Sequence, residues 1–143
     1  KNRFIIVFFI ELIVGCIFAS CSGTKRQESI PDNDGTPIMA FTKKLHNFGK
    51  VKAGQQISFS FKFENSGDAD LRIDSLNIDC GCLDVIYPRE AIKEGTSNFV
   101  DVVFDSSGEV GRVLKQIIVY SNGSVEPITL SIVSEVNNPM FNF

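Results

Sequence analysis

The sequence predicts an all-β fold over residues 37–143, a sandwich of about seven to eight short strands. Three observations lead there. Apolar residues alternate at period two in several stretches, the signature of strands with one face buried. Clusters of turn-forming residues recur about every 8–12 positions, as in sandwiches and barrels. No stretch beyond the N-terminal segment holds a 3.6-residue apolar period, so no substantial helix is expected there.

The clearest strand is Gln56 to Glu64. Ile57, Phe59, Phe61 and Phe63 fall on one face and Ser58, Ser60, Lys62 and Glu64 on the other. Alternation at strand period makes this Phe-rich stripe core rather than a ligand platform. Asn65-Ser66-Gly67-Asp68 reads as a turn. Leu71 and Ile73 then continue at odd positions, whereas Leu76 and Ile78 are even, which predicts a bulge near Ser75. Val100, Val102 and Phe104 alternate within residues 97–105, and Ser106-Ser107-Gly108 ends the run. Residues 112–120 form a more continuous apolar strand. Asn122-Gly123 follows, the strongest two-residue hairpin signal in the chain. Its partner strand carries Ile128, Leu130, Ile132 and Val136 inward, and Asn137-Asn138-Pro139 closes it.

Ahead of this domain, Lys1 and Arg3 precede an apolar run over residues 4–18 that Glu11 interrupts. A positive start, a short greasy core and then small residues is the order of a secretory signal. The run falls short of the roughly 20 residues a spanning helix needs. Phe18-Ala19-Ser20-Cys21 resembles the bacterial lipobox, whose Cys takes a diacylglycerol; Ile13-Val14-Gly15-Cys16 also resembles one and is closer by residue type. Cleavage before Cys16 would strand Ile17 and Phe18 in the tether and leave Cys21 as an odd thiol. Cys21 is therefore the expected lipidation site, with residues 1–20 as signal peptide. Residues 21–36 are polar, rich in turn formers and without apolar period, hence a flexible tether. About 15 such residues span roughly 20 Å.

The 143-residue chain has room for one such domain, and its formal charge is -3, from 14 Lys and Arg against 17 Asp and Glu. The acidic residues form no tract. A mildly acidic, unpatterned surface argues against a nucleic-acid groove or an anionic-membrane patch, which need clustered Lys and Arg. There is no Gly-rich phosphate loop, Ca²⁺ loop or heptad seam. A nucleophilic triad needs a base, and His46 is the one histidine; a packing or capping role fits it better.

Several motifs occur in a fixed order: residues 46–54 (His46-Asn47-Phe48-Gly49 and onward), residues 61–71, Cys80-Gly81-Cys82, Tyr87-Pro88, Gly95, Val102-Val103-Phe104-Asp105, Gly111, and Val119-Tyr120-Ser121-Asn122. Together, over roughly residues 40–136, they resemble a widespread bacterial family labelled domain of unknown function fifteen seventy-three. The resemblance implies an immunoglobulin-like sandwich, related to Hydin-like and major-sperm-protein-like modules. It also implies a secreted lipoprotein, and it brings no established activity. One departure is Leu83, where the family usually has Thr after Cys-Gly-Cys.

Residues i and i+2 of a strand face the same side, so Cys80 and Cys82 present both sulfurs together. Three readings compete. The pair is structural, either buried or joined as a local disulfide in an oxidising compartment. Or the two thiolates hold a soft metal such as Cu(I), tetrahedral zinc being short of ligands. Or they exchange with a partner's disulfide, which flanking Asp79 and Asp84 disfavour because they oppose the thiolate.

The expectation is a non-catalytic cell-envelope lipoprotein, periplasmic or surface-exposed, bound to membrane by its N-terminal lipid. Its domain serves as a protein-interaction or structural module, with a protein partner and no cofactor. The alternative is a copper-binding or thiol-redox envelope protein using Cys80 and Cys82. Met140-Phe141-Asn142-Phe143 is apolar enough to dock on the sandwich or on a partner's edge strand.

Overall fold

A computed structural model of the chain describes residues 35–139. They form an all-β sandwich of eight strands: β1 (Met39–Phe41), β2 (Leu45–Lys52), β3 (Gln56–Asn65), β4 (Ile73–Ile78), β5 (Leu83–Ile86), β6 (Ser97–Asp105), β7 (Gly111–Ser121) and β8 (Ile128–Asn137). One sheet has the order β1-β3-β6-β5, the other β2-β8-β7-β4. All pairings are antiparallel except β2 with β8. Parallel neighbours cannot be joined by a tight turn, and here the whole of the intervening chain separates them.

Alternation along the strands builds the core. Phe61, Phe63, Val100, Val102 and Phe104 come from one sheet, and Ile117, Val119, Leu130, Ile132 and Val136 from the other; all are essentially inaccessible to water. Each buried side chain of this size contributes about 1.5–3 kcal/mol by leaving water. The phase shift between Ile73 and Leu76 is a bulge: Ile73 pairs with Ser121 and Ser75 with Tyr120, leaving Asp74 as the extra residue. A second break lies in β2 between Asn47 and Lys50. There the Gly49 N–H donates to Asn47 Oδ1 at 2.8 Å, and Gly49 has φ 71°.

Asn122-Gly123 does not form the expected two-residue hairpin. β7 stops at Ser121 and β8 starts at Ile128, and Gly123 lacks the positive φ that a type I′ turn requires. Long-range contacts have taken over both residues. Asn122 Oδ1 accepts from the Arg72 N–H at 2.7 Å, and its Nδ2 donates to Asp70 O at 3.0 Å. A Cβ on Gly123 would lie 2.5 Å from Leu71 Cδ1 and 3.1 Å from Met39 N, so close packing is what selects glycine there.

The segment leading into β1 is held by Asn65, which the sequence presents as a turn former but which is fully buried. Its Nδ2 donates to Ala69 O at 2.7 Å and Ile92 O at 2.9 Å. Its Oδ1 accepts from the N–H groups of Ile38 at 3.3 Å and Gly67 at 3.1 Å. Residues 36–38 are further stapled by Asp68: its N–H donates to Thr36 O at 3.2 Å and its Oδ1 accepts from Thr36 N at 2.6 Å. Ser106 does the corresponding work at the opposite end. Buried on β6's exit, it accepts from the Gln55 N–H at 3.0 Å and sits within 2.9 Å of the Lys52 carbonyl.

Asn65→Ala would leave the Ala69 carbonyl and the Ile38 and Gly67 N–H groups without this partner in a buried site, while Ile92 O keeps the Leu71 N–H. Each orphaned buried group costs about 1–3 kcal/mol, so a loss of at least about 3 kcal/mol is expected, read as a lower urea midpoint at unchanged slope. A loss below about 1 kcal/mol would mean water replaces the amide.

Candidate functional site: the Cys-Gly-Cys crossover and the sheet edges

Cys80-Gly81-Cys82 lies where the chain leaves one sheet for the other, between edge strand β4 and edge strand β5. Cys80 and Cys82 are joined as a disulfide with Cα atoms 5.2 Å apart. Both are half-buried and pack against the core, while Gly81 is exposed with open space around it. Two hydrogen bonds fix the crossover on either side. The Gln116 N–H donates to Asp79 Oδ2 at 3.3 Å, and the Asp105 N–H donates to Cys82 O at 2.9 Å. The site thus sits toward the end of the sandwich opposite the Asn65 staple, beside the β6 terminus.

Leu83, the departure from the family pattern, is buried opposite Phe104 on β6. The hydroxyl expected there is replaced by a core side chain, so this position anchors β5 rather than extending the chemistry of the thiols. With both sulfurs joined, a Cu(I) site at Cys80 and Cys82 requires their reduction first. Among the described residues no group of three or more His, Cys, Asp and Glu is arranged to hold a metal ion.

His46 is not near the pair's chemistry. Its ring stacks on Phe59 with centroids 3.7 Å apart and meets Phe48 edge-on at 4.5 Å. The Lys43 ammonium lies 5.4 Å from the Phe59 centroid. Burial lowers the His46 pKa from its ordinary 6.5, and the Lys43 charge lowers it further. Two shallow grooves lie elsewhere on the surface. One, of about 440 Å³, opens on the outer face of β2-β8-β7 between Lys50, Arg112, Leu114 and Val133. The other, of about 480 Å³, lies along residues 88–98. No His or Cys lines either one. Cys16, Cys21, the leader, most of the tether and Met140–Phe143 lie outside the described residues.

The surface is not unpatterned in the way the overall composition suggests. Residues 37–63 contain five Lys and no Asp or Glu, whereas residues 64–139 contain five Lys and Arg against thirteen Asp and Glu. The fold places the first group on β2, on β3 and in the turn between β1 and β2. Asp74, Asp79 and Asp84 lie at β4 and β5. The signal was present in the sequence as a local charge count and is lost when charges are summed over the whole chain.

The two sheets, their order and the parallel β2–β8 pair define an immunoglobulin-like, PapD-like β-sandwich. Residues 39–136 match the family described as Protein of unknown function (DUF1573), and the chain belongs to it. Among solved structures it is similar to a protein of unknown function from Porphyromonas gingivalis W83, at 19% identity and TM-score 0.61, over 70% of this chain and 47% of that one. The chain thus spans about half the length of that relative. It is also similar to the ASH / PapD-like domain 7 of human CEP192, at 10% identity and TM-score 0.59, over 70% and 85% of the two chains. The secreted serine protease VesC of Vibrio cholerae gives 13% identity and TM-score 0.56, over 69% and 23%. At these identities the likeness concerns the fold alone. No curated protein matches the chain.

Two measurements follow from this geometry. A ring closed by residues two apart restricts the unfolded chain little, so Cys80→Ser with Cys82→Ser should cost less than about 2 kcal/mol. A larger loss would mean that the crossover, and not only its loop, depends on the bond. For His46 the folded pKa lies below the unfolded one, so the unfolded chain takes up the proton first as pH falls. The corresponding stability is complete above pH 6.5 and is lost as pH falls through the lowered folded value. Urea midpoints measured between pH 7.5 and 5 should therefore decline in the wild type and decline less in His46→Gln; parallel profiles would exclude His46 as the cause.

Proposed function

We propose that the chain is a non-catalytic cell-envelope lipoprotein, anchored through Cys21, whose sandwich acts as a protein-interaction or structural module. The observation that carries this reading is the Cys80–Cys82 disulfide. Such bonds persist in oxidising compartments and are rare in the cytosol. The leader, with its positive start and lipobox-like Phe18-Ala19-Ser20-Cys21, points to the same place independently.

The geometry of the described residues suits a tethered module. The segment entering β1 is stapled at the Asn65 end, while the Cys-Gly-Cys crossover and the Ser106 turn lie toward the opposite end. The packing role of His46, the one histidine of the sequence, supports a non-catalytic part. A second reading, copper binding or thiol exchange at Cys80 and Cys82, is favoured by the small ring. A bridge that closes so small a ring restricts the unfolded chain little, so opening it takes little from the fold.

The test is expression of the full chain in a bacterium with detergent phase partition and intact mass. Wild type should enter the detergent phase carrying the diacylglycerol mass, with Cys21→Ser left unprocessed in its leader. Acylation that survives Cys21→Ser and vanishes in Cys16→Ser moves the anchor to Cys16. No acylation in any form overturns the lipoprotein reading. Alkylation before and after reduction reports the thiols in the same spectra. Free thiols that bring down stoichiometric Cu(I) would move the second reading to first.

A further inference from the structure

Sheet edges expose unpaired N–H and C=O groups, and proteins blunt them with bulges, short strands or lysines. Three of the edges here are blunted in the backbone. β2 breaks register between Asn47 and Lys50, β4 carries the extra Asp74, and β5 spans only four residues. β3 is different. It keeps unbroken register with β6 from Gln56–Asp105 to Glu64–Ser97. On its other side β1 covers only Phe63, Glu64 and Asn65, and the Thr42 N–H reaches Lys62 O. From Gln56 to Phe61 no strand lies beside β3 on that side among the described residues. This free stretch has the length of an ordinary strand.

The side chains along it are incompletely covered. Ile57 and Phe59 point inward yet remain half-exposed, as do His46 and Phe48 packed about Phe59. What guards the edge is charge. Lys62 stands on β3 itself, Lys43 lies over the Phe59 ring and Lys44 follows it, all exposed, and no salt bridge involves any of them among the described residues. The β strands that such a guard repels least are acidic ones.

We propose that the free edge of β3 is a docking site for an extended, acidic segment of another protein, added as a strand beside residues 56–61. This rests on the interaction-module reading and supplies its surface and partner class. Main-chain hydrogen bonds to β3 would give the affinity, as in other strand-addition complexes. Apolar residues at alternate positions of the incoming strand would cover Ile57 and Phe59. Its carboxylates would neutralise these three lysines. A second copy of the chain fits less well, because its acidic edges, β4 and β5, are the bulged and the short one.

The experiment uses the full chain in nonionic detergent and a fluorescein-labelled peptide of about eight residues, alternating Val or Phe with Glu. Fluorescence anisotropy should show binding that weakens as salt is raised. It should be at least about tenfold tighter than for the same peptide with Lys in place of Glu, and should disappear when alternate peptide nitrogens are methylated. Lys43→Glu with Lys62→Glu, both exposed, should weaken it similarly while leaving the urea midpoint unchanged. Amide resonances of residues 56–61 should shift. Equal binding of the Lys peptide, indifference to methylation, or shifts confined to β4 and β5 would overturn the proposal. So would self-association that shifts the same amides without peptide, or anionic vesicles that shift them when no peptide does. None of these results bears on the anchored-module reading, which acylation at Cys21 decides.

Discussion

A buried amide needs partners for two donors and an acceptor, and in this sandwich the arrangement of one whole end follows from satisfying them at Asn65. Its four side-chain hydrogen bonds reach three stretches: the lead into β1, the turn after β3, and the strand-like segment at Ile92. Its own backbone extends the set, with its N–H donating to Thr96 O and its carbonyl accepting from Gly95 N. Hydrophobic burial is non-directional, so the Phe-rich core alone would tolerate several placements of β1. The amide selects one. It also explains Gly67, where a Cβ would overlap the Thr36 carbonyl. The N-terminal segment is drawn too tightly against this turn for any side chain.

That placement has a consequence on the far side of β1. Because the lead is stapled at the Asn65 end, β1 runs only to Phe41 before the chain crosses to β2 in the other sheet. A longer β1 would have covered β3 completely. Instead the crossing leaves the first half of β3 open, and His46, arriving at the start of β2, fills part of the gap by stacking on Phe59. The lysines of the crossing and Lys62 of β3 then stand where an open edge would otherwise invite indiscriminate pairing. Edge, ring stack and charge are three results of one short strand.

How much of this was legible in the sequence depends on how far each signal reaches. Period-two alternation is local, and Ile57 to Phe63 and Val100 to Phe104 fall where it places them. The bulge at Asp74 was visible as a change of phase between Ile73 and Leu76. Asn122-Gly123 carried an equally strong local signal, but it yielded to contacts with Asp70, Leu71 and Arg72, residues about fifty positions away that no local pattern reveals. Asn65 shows the same limit. Its residue type announces a turn, which is present, and says nothing of burial. β1, β2 and β5 were not resolved as strands from periodicity; three or four residues are too few to show a period, and β2 is broken by its bulge. The parallel β2–β8 pairing is likewise a matter of topology.

The Cys-Gly-Cys crossover shows why a residue pair singled out by motif and by geometry can still be a minor contributor to stability. Cross-linking stabilises mainly by removing freedom from the unfolded chain, and a ring this small removes little. Its leverage is local. Cys82 O holds the Asp105 N–H at 2.9 Å, and the next residue, Leu83, enters the core opposite Phe104. Fixing Cys82 relative to Cys80 therefore fixes the direction in which β5 leaves the crossover, and with it the edge of that sheet. Opening the bond would free the direction of β5 before it freed the fold. A bond of that kind keeps a surface in shape and responds to the redox state of its compartment. The domain's integrity rests on the Asn65 amide and the core, which no reductant reaches.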